Sequence, residues 1–376
     1  MESCSTDQTD RRFIPNSISR VGMPTQRSYT EDNDASPEIM KNSRKLGESS
    51  ILDRIHEGLR TVSPARGESS LRLGIGDDAA DDAALWRPRA GYETILTCDW
   101  FLEGTHFLAN RHPPEAVGYK CLARAASDIA AIGGEPRCYL LSLALPDARS
   151  DKWLHRFLNG LRKGSRMLGC PIAGGDTTRR NEILINITVI GEARRGRAIL
   201  RSGARPGDAI FVTGRLGEAQ YGLRLLLEPL KRISPTDQRL RKHFYPEPRL
   251  GAGWWLANHG LATAMMDLSD GLSSDLPKLC EASRVGARIK AQALPRVQIE
   301  KKYSNKFDAI DLALHGGDDY ELLFTVARKN LGRIPKIIAH VPVTRIGEIT
   351  ANKRVVVAPK QGAASDLENK GWDPFR

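Results

Sequence analysis

A two-domain protein of the mixed α/β class is what this sequence predicts, on three observations. The chain has 376 residues, too many for one ordinary core and suitable for two. Segments of strand character alternate with segments of helical period on both sides of a central break. That break, 194–208 (RRGRAILRSGARPGD), is rich in Gly and Arg and carries Pro206, a composition that suits a connection between cores. The expected organisation is an N-terminal extension over 1–47, a first domain over 48–198 and a second over 199–376.

The first 47 residues balance seven Lys/Arg against seven Asp/Glu among many Ser, Thr and Asn. Such a segment buries too little apolar surface to offset its ordering entropy, so it is expected to be disordered. Helical period begins at Ser50, with Ile51, Leu52, Ile55 and Leu59 on one face. Leu71 to Ala79 reads as a short strand entering a glycine turn, and Thr94 to Asp99 as a strand ending in an acid. Pro113-Pro114 opens a helix whose Val117, Cys121, Leu122, Ala125 and Ile129 repeat every 3.6 residues, and Gly133-Gly134 closes it. A buried strand over 139–145, an amphipathic helix over 151–167 and a β-branched strand over 183–190 complete the first domain. Beyond the break, strands are expected at 209–213, 261–266 and 322–326, and helices at 217–227 and 272–283. Gly174-Gly-Asp-Thr-Thr and Gly316-Gly-Asp-Asp-Tyr echo one another across the two halves, a faint sign of internal repetition.

No apolar stretch approaches the roughly 18 residues needed to cross a bilayer, and the N-terminus lacks the apolar core of a secretory signal. The six cysteines (Cys4, Cys98, Cys121, Cys138, Cys170, Cys280) form no CxxC or Cys/His pair at metal-ligand spacing. They are expected to be reduced thiols of a cytoplasmic protein with no membrane association. The net charge of +11 suggests polyanionic partners. The arginines are spread along the chain without an RNA-binding aromatic motif or zinc-finger spacing, so the expected partner is a polyphosphate steered by the field, not nucleic acid.

A series of aspartates at strand ends or beside glycines carries the chemistry: Asp77, Asp78, Asp99, Asp128, Asp176, Asp267, Asp270, Asp318 and Asp319. Glycine lets the backbone approach a phosphate closely, and a carboxylate there serves better as a ligand than as packing. Hard oxygen donors without His or Cys select Mg²⁺, which takes one or two carboxylates plus phosphate oxygens, so many aspartates point to several ions. Several ions suit two mutually repelling phosphate reactants, that is, phosphoryl transfer onto an existing phosphate. The sequence has no GxxxxGK[ST] loop, no protein-kinase HRD or DFG set and no GxGxxG, so the familiar nucleotide folds are not expected.

Eight ordered motifs resemble those of the thiamine-monophosphate kinases: Gly74-Ile-Gly-Asp-Asp-Ala, Glu103-Gly-Thr-His-Phe, Ser127-Asp-Ile-Ala-Ala-Ile-Gly, Gly174-Gly-Asp-Thr-Thr, Arg201-Ser-Gly-Ala-Arg-Pro-Gly-Asp, Asp267-Leu-Ser-Asp-Gly-Leu, Gly316-Gly-Asp-Asp-Tyr-Glu-Leu and Gly371-Trp-Asp-Pro-Phe. They span the chain from about residue 50 onward. The resemblance implies the aminoimidazole-ribotide synthetase-like fold, with N-terminal domains pairing into a β-barrel in a homodimer. It also implies that ATP phosphorylates thiamine monophosphate to thiamine diphosphate by direct in-line transfer. By motif position, Asp78, Thr97, Cys98, Asp99, Asp128, Asp176, Asp267 and Asp270 would hold Mg²⁺; Gly175, Asp176, Arg201 and Ser269 would contact ATP; His106, Asp318 and Trp372 would contact thiamine monophosphate. Three positions depart from the family pattern: Cys98 replaces Thr, Asp318 replaces Glu, and Ala125 stands where Asn is common. No side chain is expected to act as a covalent nucleophile. The alternatives are another ATP-using member of the superfamily, such as aminoimidazole-ribotide synthetase, or a non-catalytic basic binding protein. A selenophosphate synthetase would need a reactive Cys before the first glycine-aspartate motif, where only Cys4 stands, and the hydrogenase-maturation relative ends in Cys.

Overall fold

The computed structural model describes residues 48–59, 83–228 and 234–375. The extension over 1–47 and the Leu71 to Ala79 motif, with Asp77 and Asp78, lie outside the described residues. Every element described belongs to one compact unit, Lys45–Trp372.

In chain order the elements are α1 (Glu48–Leu59), β1 (Tyr92–Leu102), α2 (Pro114–Ile132), β2 (Glu135–Leu145), α3 (Lys152–Leu168), β3 (Ile172–Arg179), β4 (Leu184–Arg194), β5 (Ala209–Thr213), α4 (Glu218–Leu226), α5 (Arg241–Phe244), α6 (Leu250–His259), β6 (Ala262–Asp267), α7 (Leu272–Ser283), β7 (Gly286–Lys290), α8 (Ala309–His315), β8 (Leu322–Val326), β9 (Ile337–Ile338), β10 (Val341–Thr350), β11 (Val355–Ala358) and β12 (Ser365–Asp366). The fold is mixed α/β, as its sequence predicts. Among the described residues two sheets form, one in the order β1-β4-β2-β3 and one in the order β12-β11-β7-β10-β5-β8-β6, with β9 paired to β10.

Helix α2 is the axis of the site. Pro114 at its first turn suits a helix start, where the missing N–H has no partner to lose. Gly133, left-handed at φ 79°, ends it. Its apolar residues Val117, Cys121, Leu122, Ala125 and Ile129 enter the core built by Tyr139, Leu141 and Leu143 of β2 and Ile185, Ile187 and Val189 of β4. Its far end, Ala130 and Ala131, packs into a second core with Leu256, Ala257 and Met265 from α6 and β6. The approach to α3 is close enough to require glycine on both helices: a Cβ on Gly118 would lie 2.0 Å from the Phe157 carbonyl oxygen, and one on Gly160 would lie 1.9 Å from that of Glu115.

A helix contacted on so many sides has little use for charge, yet α2 carries Lys120, Arg124, Ser127 and Asp128 at i, i+4, i+7 and i+8. These positions fall on one face. The stripe runs past β1 and past the C-terminal end of β6, both of which contact α2.

The Gly-Gly-Asp echo does not extend to conformation. Gly174 to Thr178 lie within β3, paired with β2, whereas Gly316 to Tyr320 form the connection between α8 and β8, with Asp318 and Tyr320 left-handed at φ 67° and 51°.

Candidate active site

Side-chain alternation along β1 turns Thr97, Asp99 and Phe101 toward α2. The Thr97 hydroxyl donates to an Asp128 carboxylate oxygen. On the next position of the stripe, the Ser127 hydroxyl donates to Asp267 Oδ2 at 2.6 Å, and Asp267 ends β6 with 4% of its surface exposed. Burial, reinforced by repulsion from Asp99, holds the Asp128 carboxyl above the usual aspartate range, although Thr97, Arg201 and Arg124 pull it back. Burial also raises Asp267, and Asp128, Asp275 and Asp99 add to the rise. Asp128 and Asp267, with Asp99 beside Arg124 at 3.5 Å, thus bring hard oxygen donors together with less positive charge than negative. That donor chemistry fits a hydrated divalent cation shared with phosphate oxygens. Among the described residues, no three His, Cys, Asp or Glu side chains are close enough to hold an ion by themselves.

The backbone aligns the second half of the site. The β6–β8 ladder continues past the strand ends: Leu268 N–H donates to Glu321 O, Tyr320 N–H to Leu268 O and Asp318 N–H to Ser269 O, at 2.8 to 2.9 Å. The Asp267-Leu-Ser-Asp and Gly-Gly-Asp-Asp-Tyr segments therefore lie side by side. Asp318 accepts from Lys120 Nζ at 2.7 Å and from the Tyr320 hydroxyl at 2.8 Å. Burial opposes its charge, but Lys120, His243 and Arg124 outweigh burial and hold its carboxyl well below the usual range. Lys120 Nζ also stands 3.4 Å from His243 Nδ1, whose Nε2 is 3.0 Å from His112 Nε2. Burial, with Lys120 beside them, lowers both histidines, His112 to about 4, so the pair is neutral near neutral pH.

His106 belongs to the same group. Its Nδ1 accepts from Leu102 N–H at 3.0 Å, which sets the ring orientation. Burial first and Arg124 second lower its pKa to about 4 while Asp318 raises it. His106 and Asp318 thus sense the same charges across α2.

Other expected site residues fall elsewhere. Cys98 sits on the opposite face of β1, its thiol 3.3 Å from Asn186 Oδ1, because a one-residue step along a strand reverses the side chain. Asp176 is exposed on β3, its carboxylate accepting from Thr177 N–H. Among the described residues, strands β1 and β3 are the outer strands of the first sheet, three strand spacings or roughly 14 Å apart, so Asp176 stands away from Asp99 within one chain. Beside it, Gly175 is required sterically, since a Cβ would lie 1.9 Å from the Leu141 carbonyl oxygen. Asp270 accepts from Lys278 Nζ at 2.6 Å. Its carbonyl accepts from Trp372 N–H, which fastens the exposed Trp372 beside that turn. Ser269 N–H is taken by the buried Asp275. Arg201 is exposed, close enough to Asp128 to lower its pKa, and its carbonyl accepts from the Ser283 hydroxyl.

Lys120, Arg124, His112, His243 and Tyr320 were not anticipated as site residues. The signal for the first two was present, since the polar positions of α2 share a face as regularly as its apolar ones. Nothing local marks His112 and His243, which are 131 residues apart and meet only through folding.

Family models for AIR synthase related proteins match the chain twice, the N-terminal domain over residues 80–193 and the C-terminal domain over 205–360. The thiamine-monophosphate kinase of Bacillus subtilis (strain 168) is 36% identical over 316 residues, covering 82% of this chain and 95% of its own length. That of Escherichia coli (strain K12) is 35% identical over 333 residues, covering 88% and 98%. Among solved structures, the thiamine-monophosphate kinase from Stenotrophomonas maltophilia K279a is 34% identical with a TM-score of 0.68, covering 83% of this chain and 96% of that one. AaThiL complexed with AMPPCP and TMP is 31% identical with a TM-score of 0.67, covering 87% and 96%. The chain belongs to the thiamine-monophosphate kinase family of AIR synthase related proteins.

Proposed function

We propose that this chain transfers the γ-phosphate of ATP to the phosphate of thiamine monophosphate, yielding thiamine diphosphate and ADP, the last step of thiamine diphosphate biosynthesis. The observation that carries this reading is the close match, over nearly the whole folded body, to a relative holding AMPPCP and TMP together. The local chemistry agrees with it, because the carboxylates Asp99, Asp128 and Asp267 and the Asp318, Lys120 and His106 group lie along one stripe of α2. Donor and acceptor phosphates need to meet at such a junction.

Mg²⁺ would be held by Asp99, Asp128 and Asp267 with Thr97 and Asp78 in support, and would supply charge neutralisation between the two phosphate groups. Arg201, Ser269, Gly175 and Asp176 would orient ATP; His106, Asp318 and Trp372 would orient thiamine monophosphate. The acceptor phosphate oxygen attacks the γ-phosphorus while the bond to the bridging oxygen breaks and ADP leaves with the electron pair. A dianionic acceptor brings no proton to remove, which accords with neutral His106 and ionised Asp318 flanking it. The buried cysteines are held above the ordinary thiol range by burial, so none offers a thiolate for a covalent step. Incubation with ATP, Mg²⁺ and thiamine monophosphate is expected to give the mass of thiamine diphosphate. Release of inorganic phosphate without that product would sink the reading.

The protein would act in the cytoplasm as a homodimer. No described helix is long and apolar enough to cross a membrane. The open face of the first sheet exposes Leu96 and Trp100 at 71% and 56%, with Leu140 beside them, an apolar patch that a second copy of the sheet would cover. Light scattering is expected to give twice the mass of a single chain for the native protein and a shift toward one chain for Trp100→Lys. A native protein of single-chain mass would rule out the dimer.

A further inference from the structure

The polar stripe of α2 carries two cations whose circumstances differ. Lys120 is committed, bonded to Asp318 and close to His243. Arg124, one turn later, has only 14% of its side chain exposed, and its nearest carboxylate, Asp99 Oδ2, stands 3.5 Å from Nε. At that separation the Nε–H is buried and makes no hydrogen bond among the described residues. Arg124 is thus held by a long ion pair to Asp99 while its buried Nε–H goes without a hydrogen bond, an arrangement that costs stability and that an anion at the guanidinium would relieve. The guanidinium carbon lies 5.3 Å from the centre of the Phe101 ring, which supports its plane from one side.

The charges around Arg124 point to its partner. Arg124 acts electrostatically on Asp99 and Asp128 of the carboxylate group and on Asp318 and Tyr320 of the other. It is a cation that acts on both halves. We propose that Arg124 is a catalytic residue whose guanidinium fork receives the phosphate of the acceptor thiamine monophosphate; the assignment rests on the kinase reading above. A planar fork with two parallel N–H donors matches two oxygens of a phosphate, leaving the third free to attack. The acceptor needs such a cation because it enters as a dianion beside the carboxylates of Asp99 and Asp318, the second of which already takes up the charge of Lys120. Lys120 cannot serve as readily, since its charge is balanced by Asp318.

Arg124→Gln and Arg124→Lys test the role through selectivity between reactants. In Arg124→Gln, KM for thiamine monophosphate is expected to rise about tenfold or more, the loss of one charge-assisted contact. KM for ATP should change by less than about threefold, and kcat should fall as well. Calorimetric affinity for thiamine monophosphate should drop by a like factor, while that for thiamine, which lacks the phosphate, stays level. Arg124→Lys, which keeps the charge without the fork, should fall between, and it carries the same comparison if the Gln variant does not fold. Equal weakening toward thiamine and its monophosphate, a rise in KM for ATP alone, or unchanged kinetics would overturn the assignment. A native protein that forms no thiamine diphosphate would instead sink the kinase reading on which it rests.

Discussion

Asp128→Asn is expected to lower turnover at least ~10²-fold, about 2.7 kcal/mol of transition-state stabilisation, the scale of losing one preorganised electrostatic contact. The fold should not suffer for it. Asp128 sits with Asp99 and Asp267 in a group whose charges repel, and burial plus that repulsion hold its carboxyl above the ordinary range. A carboxyl raised in the folded state contributes stability that is complete below its unfolded pKa, near 3.9, and that drains away as pH rises through the folded value. In Mg²⁺-free buffer the native protein should therefore lose melting temperature as pH climbs from the ordinary aspartate range toward neutrality. Asp128→Asn should lose less, melting at or above the native protein near pH 7. Added Mg²⁺ with ATP should raise the native melting temperature by mass action and the variant's by much less. A variant that melts lower and keeps its turnover would mean that Asp128 serves the fold through Thr97 and not the chemistry.

The largest stability loss is expected from Glu321→Ala. Glu321 has none of its side chain exposed. It accepts from Arg249 Nε and Nη2 at 2.7 and 2.6 Å, from Lys242 Nζ at 2.8 Å and from the Thr213 hydroxyl at 2.7 Å. Burial opposes the charge, but Lys242 and Arg249 overcome it and hold the carboxyl below its usual range. Removing one member of such a buried set leaves its partners uncompensated and costs about 3–5 kcal/mol, which lowers melting by on the order of 10 °C for a domain of this size. A depressed carboxyl contributes stability above its unfolded value, near 4.3, and loses it as pH falls through the folded one. The deficit of Glu321→Ala should accordingly shrink in acid. Activity should fall too, because Glu321 anchors the segment that keeps Asp318 and Tyr320 in left-handed backbone, a conformation that costs of order 1–3 kcal/mol each and persists only when its surroundings enforce it. Thermal melting at neutral and acid pH checks this; a loss below about 1 kcal/mol would show the set to be dispensable.

Elements with a clean period were legible from sequence. Helix α2 was announced by Pro113-Pro114 and Gly133-Gly134, and β5 and β8 by short apolar runs that proved fully buried. Helix α6 was not, because Gly251, Gly253 and two tryptophans give it no local helical signal and it forms against α2. Strands β7, β10 and β11 were missed as well, their pairing being set by partners distant in the chain. At the site, motif order pointed to the carboxylates on β1, α2 and β6. It did not reveal that alternation turns Cys98 away from Asp99 or that Lys278 holds Asp270. Nor did it show that a stripe of α2 joins the two halves, because those relations are tertiary.

If carboxylates gathered by α2 drive transfer between two phosphates, the initial rate of thiamine diphosphate formation, by mass, for the native protein and Asp128→Asn over a Mg²⁺ series at saturating ATP will show it. The native protein is expected to form thiamine diphosphate and ADP in equal amounts and to show no turnover without Mg²⁺, and the variant to be slower by at least ~10²-fold at every Mg²⁺ concentration. Thiamine diphosphate formed at the same rate by both proteins at limiting Mg²⁺ would contradict it.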